Sequence, residues 1–253
     1  MISEDTVVIK IGTGVLTNSE DGTLNEASLV RLVTAVSELV AEGVPCVMVS
    51  SGAVGAGVSA LNLDGYPEDT STRQACAAVG QTRLMHAYEN LFQKFRLNVA
   101  QILLSADDLA DPARSSYVSD TLVRLLGNGS IIPIINENDT VAVEELRVGD
   151  NDMLSAKVAT LLSARALIMF STVNGLLRGD GSTIESVEDI STVLGVVRED
   201  HGKFSIGGMK SKLKAVEVAV SAGVETVIAD GRLPSNLSAI VRGSSHGTRF
   251  KVK

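Results

Sequence analysis

The chain has no tryptophan, and aromatic residues of every kind make up only 3% of it. A core for 253 residues must then be filled by Val, Leu, Ile and Ala, the composition of buried parallel strands flanked by helices. Cysteine is scarce too. Cys46 and Cys76 are too few and too irregular for a disulfide framework or a cysteine metal site, so both read as small buried hydrophobes in a reducing compartment. Positive charge is in deficit: 22 Lys and Arg against 30 Asp and Glu leave a formal net charge of −8. That balance gives no electrostatic footprint for nucleic acid or an anionic membrane surface, so any phosphate ligand needs a local cluster of cations. No apolar run approaches the ~18 residues of a membrane span, and the opening MISEDTVVIKIG is acidic where a signal peptide is basic. The expected setting is the cytoplasm, with neither nucleic acid nor membrane as partner.

With 45% apolar and 21% charged residues, the chain is long enough to bury a full core as one α/β domain or a tightly joined pair of lobes. Short apolar runs alternate with helical periodicity along it. The run 7–11 ends in Gly12-Thr13-Gly14, and Asn25 is placed to cap a helix whose Leu29, Leu32, Val33, Val36, Leu39 and Val40 share one face. Residues 46–49 read as a second strand before Ser50-Ser51-Gly52. A helix over 72–95 precedes a strand over 98–104, and a helix over 112–126 precedes a strand over 131–135. Helices starting near Asp152 and Met209 lead into strands over 166–170 and 225–229. Each parallel connection needs a crossover, so this alternation predicts a mostly parallel sheet with helices on both faces. Residues 177–204 read as a loop-rich insertion around a weak helix at 187–194, and 248–253 as a short edge strand.

In such a sheet the ligand crevice lies at the carboxyl ends of the strands. Gly12-Thr13-Gly14, Ser51-Gly52-Ala53, Asn136-Glu137-Asn138-Asp139 and Ser171-Thr172 all follow expected strands and should therefore converge. Glycine turns and helix N-termini there can cradle phosphate, because no Cβ blocks the approach and the helix dipole favours negative charge. There is no G-x-x-x-x-G-K-[ST], and Gly52-Ala53-Val54-Gly55-Ala56-Gly57 is only superficially a dinucleotide turn. Lys10, inside an apolar strand, either pairs with an anion or snorkels from a sheet edge. Lys212 stands near a helix start, where acids are normally favoured. A bound anion accounts for it, and so does a solvated basic face shared with Lys210 and Lys214. Asp150, Asn151 and Asp152 open another helix, where one polar side chain suffices for a cap. Three in a row, with Asn136, Asn138 and Asp139 in the same crevice, also suit the ammonium and carboxylate of an amino acid.

The segments V-V-I-K-I-G-T-G-V-L-T, V-S-S-G-A-V-G-A-G, A-A-V-G-Q-T-R-L, I-P-I-I-N-E-N-D, V-G-D-N-D-M-L-S-A and G-G-M-K-S-K-L-K-A occur in the order seen in the amino acid kinase family. The chain resembles that family over nearly its whole length. I-N-E-N-D followed by G-D-N-D-M-L-S-A separates it from the carbamate, aspartate, acetylglutamate and uridylate kinases and aligns it with the members that act on glutamate. The resemblance implies a three-layer αβα sandwich and a single kinase domain over 1–253; many members add a C-terminal PUA domain, and none is expected within this chain. It implies ATP-dependent phosphorylation of the L-glutamate side-chain carboxylate, the first step of proline biosynthesis, with Mg2+ held mainly by the nucleotide phosphates. A homo-oligomer, dimer or tetramer, and feedback by proline are further expectations of the same kind.

Carried onto this chain, the resemblance gives Lys10 and Lys212 the neutralisation of the transferring phosphoryl group, and Asp152 the placing of both amines. Ser51, Asp139 and Asn151 would bind glutamate, with Asn136 and Asp150 supporting that wall. ATP would lie against Lys10, Gly12, Ser171, Thr172, Ile206, Gly207, Gly208, Met209, Lys210, Ser211 and Lys212, with no metal held by the protein itself. Thr172 stands where many members carry Asp, and Ser205-Ile206 where many carry Gly-Thr. Those departures motivate a second reading, a non-catalytic sensor binding glutamate or proline. A third is a kinase for a related small acid. A nicotinamide enzyme is disfavoured, because no acidic residue follows the glycine turn at the required spacing.

Overall fold

The computed structural model describes residues 5–18, 22–141, 151–194 and 208–252. Val7–Ile11 (β1), Cys46–Val49 (β2), Asn98–Leu104 (β3), Ile131–Glu137 (β4), Ala166–Ser171 (β5), Ser186–Val187 (β6), Glu225–Asp230 (β7) and Thr248–Phe250 (β8) form one sheet in the order β3-β4-β2-β1-β5-β7-β8-β6. The six strands from β3 to β7 in that order run parallel, and β8 returns antiparallel to β7 with β6 alongside it. Helices follow the strands as the alternation required: Thr13–Leu16 (α1), Glu26–Ala41 (α2), Ala53–Ala60 (α3), Thr70–Phe92 (α4), Ala106–Ala110 (α5), Pro112–Leu126 (α6), Asn151–Leu161 (α7), Ser191–Leu194 (α8), Met209–Ser221 (α9) and Leu237–Val241 (α10).

Period-two alternation splits the apolar residues into two cores, one on each face of the sheet. Val7, Ile9 and Ile11 of β1 join Met48, Ile134, Ile168 and Phe170 against α2 and α4. Val8, Val47, Val49, Leu167 and Met169 point the other way, against α7 and α9. Each such side chain is fully or almost fully buried, and burying one stabilises the fold by about 1.5–3 kcal/mol. The result is a three-layer αβα sandwich. The α2 cap is as the sequence reads: the Asn25 side chain accepts from the Ser28 N–H at 2.9 Å. Among the described residues no helix is long and apolar enough to cross a membrane. Both cysteines are free and buried.

Three readings need correction. The helix expected over 72–95 starts at Thr70, capped by Asp69, and ends at Phe92; Gln93–Phe95 tighten into a 3-10 turn before Arg96 takes a positive φ. Val187 belongs to a strand rather than to the weak helix, because β8 offers it a free ladder edge, and only Ser191–Leu194 is helical there. The last strand is consequently not an edge, since β6 lies outside it.

The helices α3 and α4 touch backbone to backbone. A Cβ on Gly57 would stand 1.9 Å from the Cys76 carbonyl oxygen, and one on Gly80 would stand 1.8 Å from that of Ala53. Only glycine permits this approach.

Candidate functional site

The carboxyl ends of β1, β2, β4 and β5 are neighbours in the sheet, so the segments that follow them share one crevice. Lys10 is the next residue after Val8 on the β1 face that looks toward α7 and α9. Its strand is central and the residue is 4% exposed, which removes the sheet-edge alternative and makes an anionic partner obligatory. Asp152, in the first turn of α7 and 0% exposed, supplies it: Lys10 Nζ lies 2.5 Å from Asp152 Oδ1. Lys212 Nζ, from the first turn of α9, lies 3.0 Å from Asp152 Oδ2. Of the basic run in α9, Lys210 and Lys214 are exposed and only Lys212 turns inward.

One buried carboxylate thus sits between two buried ammonium groups. Burial alone would push the Asp152 carboxyl up, and the charges and hydrogen bonds of Lys10 and Lys212 overrule it, holding the group below the ordinary carboxylate range. The cluster carries a net charge of about +1 at neutral pH, which is the local cationic surplus that an acidic protein needs in order to hold a phosphate. Asp152 itself cannot meet a ligand from solvent; its side chain fixes where the amines stand.

The turns after β1 and β5 form the adjoining wall. The Gly12 N–H donates to the Phe170 carbonyl at 3.1 Å, so this residue is committed to the sheet and offers clearance instead. A Cβ there would stand 3.7 Å from Lys10 Nζ. A Cβ on Gly14 would stand 3.0 Å from Thr172 Cγ2, which brings exposed Thr172 over that turn, while Ser171 is buried at the end of β5. Gly208 is the extended N-cap of α9, and its carbonyl accepts from the N–H groups of Ser211 and Lys212. Met209 packs against the core and Lys210 faces solvent. Asp150, Ile206 and Gly207 lie outside the described residues.

Beside the ionic cluster the structure builds a second, neutral wall. Asn151 Nδ2 donates to Ser51 Oγ at 2.9 Å and to Asn136 Oδ1 at 3.1 Å. Ser51 is set by the turn into α3, where Gly52 takes a φ of +95° that side chains rarely adopt. Asn136 Nδ2 donates in turn to Gln81 Oε1 at 2.9 Å, and Gln81 Nε2 to Gln101 Oε1 at 3.2 Å. Asp139 follows β4, and burial pushes its carboxyl up to about 6. Tyr66 is close enough for burial first, and then the Asp139 charge, to push its phenol up, with Arg73 working against both.

Sequence reasoning gave Gln81, Gln101, Tyr66 and Arg73 no role. A signal for Gln81 was there: it lies on the same face of α4 as Cys76, Ala77, Leu84, Tyr88 and Phe92, an amide in an apolar stripe. No comparable signal marks Gln101 on the exposed edge strand. Among the described residues no group of three or more His, Cys, Asp or Glu is arranged to hold a metal ion.

The profile of the amino acid kinase family matches residues 5–230. The chain is similar to the protein named glutamate 5-kinase from Synechococcus sp. strain JA-3-3Ab, 42% identical over 256 residues, which cover 98% of this chain and 69% of that one. It is 45% identical over 251 residues to the glutamate 5-kinase of Geobacter sp. strain M21, covering 96% and 67%. In three dimensions it is similar to a carbamate kinase from Giardia, with a TM-score of 0.69 at 18% identity over 99% of this chain and 100% of that one, a likeness of fold.

Proposed function

Because this chain belongs to the amino acid kinase family, we propose that it transfers the γ-phosphoryl group of ATP to the side-chain carboxylate of L-glutamate, giving L-glutamyl 5-phosphate and ADP. The observation that carries the reading is the pair of buried amines held by one carboxylate at the mouth of a parallel sheet. A glutamate carboxylate is already ionised at neutral pH, so no general base is needed to make the nucleophile. What opposes reaction is the approach of one anion to another: two unit charges about 4 Å apart repel by roughly 4 kcal/mol at an effective dielectric near 20. Lys10 and Lys212 offset that repulsion. A carboxylate oxygen of glutamate bonds to the γ-phosphorus while the bond to the β,γ-bridging oxygen breaks, and the electron pair leaves with ADP. Catalysis on this scheme is alignment and charge stabilisation.

The neutral wall supports the amino acid. On this reading Ser51, Asn151 and Asp139 meet the α-carboxylate and α-ammonium groups, and the hydrogen bonds that join Asn151 to Ser51 and Asn136 support it. The nucleotide is assigned to the turns after β1 and β5 and to the start of α9, and Mg2+ enters with it as part of the substrate, held mainly by phosphate oxygens and water. Trapping the acyl phosphate with hydroxylamine tests the proposal. ATP-dependent glutamyl hydroxamate is expected, and a protein that forms hydroxamate from another acid and none from glutamate would overturn the substrate. Amino acid binding with no release of ADP would mark a sensor instead of an enzyme.

A further inference from the structure

The neutral wall carries a direction that its residues alone do not reveal. Asn and Gln side chains can be turned end for end, so a chain of amides is compatible with either polarity until one member is fixed. Here the fixing group is the main chain. The Glu137 backbone N–H lies 3.0 Å from one terminal atom of the Asn136 amide, and a backbone N–H can only donate, so that atom must be Oδ1. Every other orientation follows. The atom of Asn151 that faces Asn136 Oδ1 must be Nδ2, and the atom of Gln81 that faces Asn136 Nδ2 must be Oε1. Both protons of Asn151 Nδ2 are then used, one on Asn136 and one on Ser51 Oγ. Asn151 Oδ1 is left as a buried acceptor that pairs with no group among the described residues. A buried acceptor without a donor is costly, and active sites are where such atoms are kept.

We infer that the Glu137 N–H polarises the amide chain from Asn151 through Asn136 to Gln81 so that Asn151 Oδ1 is presented to an N–H donor of the substrate, its α-ammonium, and that Gln81 is a positioning residue for this recognition. The inference rests on the amino acid kinase reading above and adds to it how the site distinguishes an amino acid from the plain dicarboxylic acid of equal length. Gln81 acts through Asn136. It is 9% exposed, accepts from Asn136 Nδ2, and passes the amide chain on to Gln101. Without an acceptor at Gln81 Oε1, the Nδ2 of Asn136 has no partner in a buried place. Asn136 then turns or shifts to find one, and Asn151 loses the contact that orients it.

The test compares L-glutamate with glutarate, which keeps both carboxylates and lacks only the α-amino group, in the hydroxamate assay on the full chain. Gln81→Leu is expected to raise KM for glutamate about tenfold, with kcat and the KM for ATP changed less than twofold and kcat/KM for glutarate unchanged. The glutamate-over-glutarate preference therefore falls about tenfold. Gln81→Glu keeps an acceptor toward Asn136 Nδ2, and exposed Gln101 can turn to donate to it, so this variant is expected to retain the preference within about threefold. Gln81→Met serves as a second apolar variant and is expected to behave as Gln81→Leu. Equal losses on the two substrates, an unchanged preference, or loss of all activity in both apolar variants overturns the inference. A wild-type protein that makes no glutamyl hydroxamate overturns the underlying substrate assignment instead, and that outcome is read before any variant is made.

Discussion

Asn151 and Asp152 are consecutive residues of α7, and they look into two halves of one crevice that are built on different physics. Asp152 is surrounded by charge: its carboxylate lies between two buried ammonium groups, which depend on it for their counter-charge. Asn151 is surrounded by neutral groups, a hydroxyl and a line of amides, in which each bond is worth about 1 kcal/mol and an orientation is what is being held. The difference teaches where each half can be altered. Removing Asp152 leaves two buried ammonium groups without a counter-charge, whereas removing one amide changes an angle.

The sharpest way to break this comparison is Lys10→Ala. If the ionic half carries the chemistry, kcat falls about 10³-fold, roughly 4 kcal/mol of transition-state stabilisation, with KM for glutamate changed less than about threefold. Steady-state ADP release reads both constants, and a variant whose loss lay mainly in the glutamate KM would merge the two halves. Asp152→Asn comes next. It keeps hydrogen-bond acceptors near Lys10 and Lys212 but removes the charge between them, so a loss of about 3 kcal/mol in unfolding free energy is expected from urea titration, at the low end for a broken buried pair. An unchanged urea midpoint would mean that the two amines need no counter-charge.

The smallest effect belongs to the carboxylate beside the neutral half and is seen only in acid. On the proposed reading Asp139 meets the substrate ammonium only when ionised, and burial raises its carboxyl to about 6. The KM for glutamate should therefore rise as pH falls below about 6, approaching tenfold per unit, and stay level above about 7, with kcat flat throughout. Asp139→Asn should give a level profile at a higher KM. The sign for folding runs the other way from that of a salt-bridged acid: the folded chain keeps a proton that the unfolded chain releases near 4. The unliganded protein accordingly loses stability as pH rises from about 4 to about 6. A kcat that followed the same acid limb would join Asp139 to the chemistry and end the distinction.

Much of the frame was legible because it follows from periodicity. β3, α6 and the starts of α7 and α9 lie within a residue of where spacing and caps place them, and the exposure of Lys10 to an anion could be argued from one charged residue in an apolar strand. The link between residues 10, 152 and 212 came from the family resemblance and not from spacing or periodicity. It depends on β1 being central and on α7 and α9 packing over the same face, which are relations among distant segments. The amide chain was hidden for a related reason: Gln81, Gln101, Asn136 and Asn151 sit on four different elements, and only their packing turns four unremarkable amides into one line. The two-residue β6 carries too little pattern to be read at all, and the edge of the sheet was misplaced with it.

The contact of Gly57 with the main chain at Cys76, and of Gly80 with that at Ala53, has a consequence for the crevice. Where helices meet through side chains, the side chains act as a cushion that rotamer changes can compress. α3 and α4 have no cushion here, so the first turn of α3 is seated against its neighbour with the tolerance of the peptide groups themselves. Ser51 stands two residues before that turn begins at Ala53, and Gln81 immediately follows Gly80. The hydroxyl at one end of the neutral wall and the amide near its other end are thus gauged from a single mechanical datum, and the spacing between them is set before any substrate arrives.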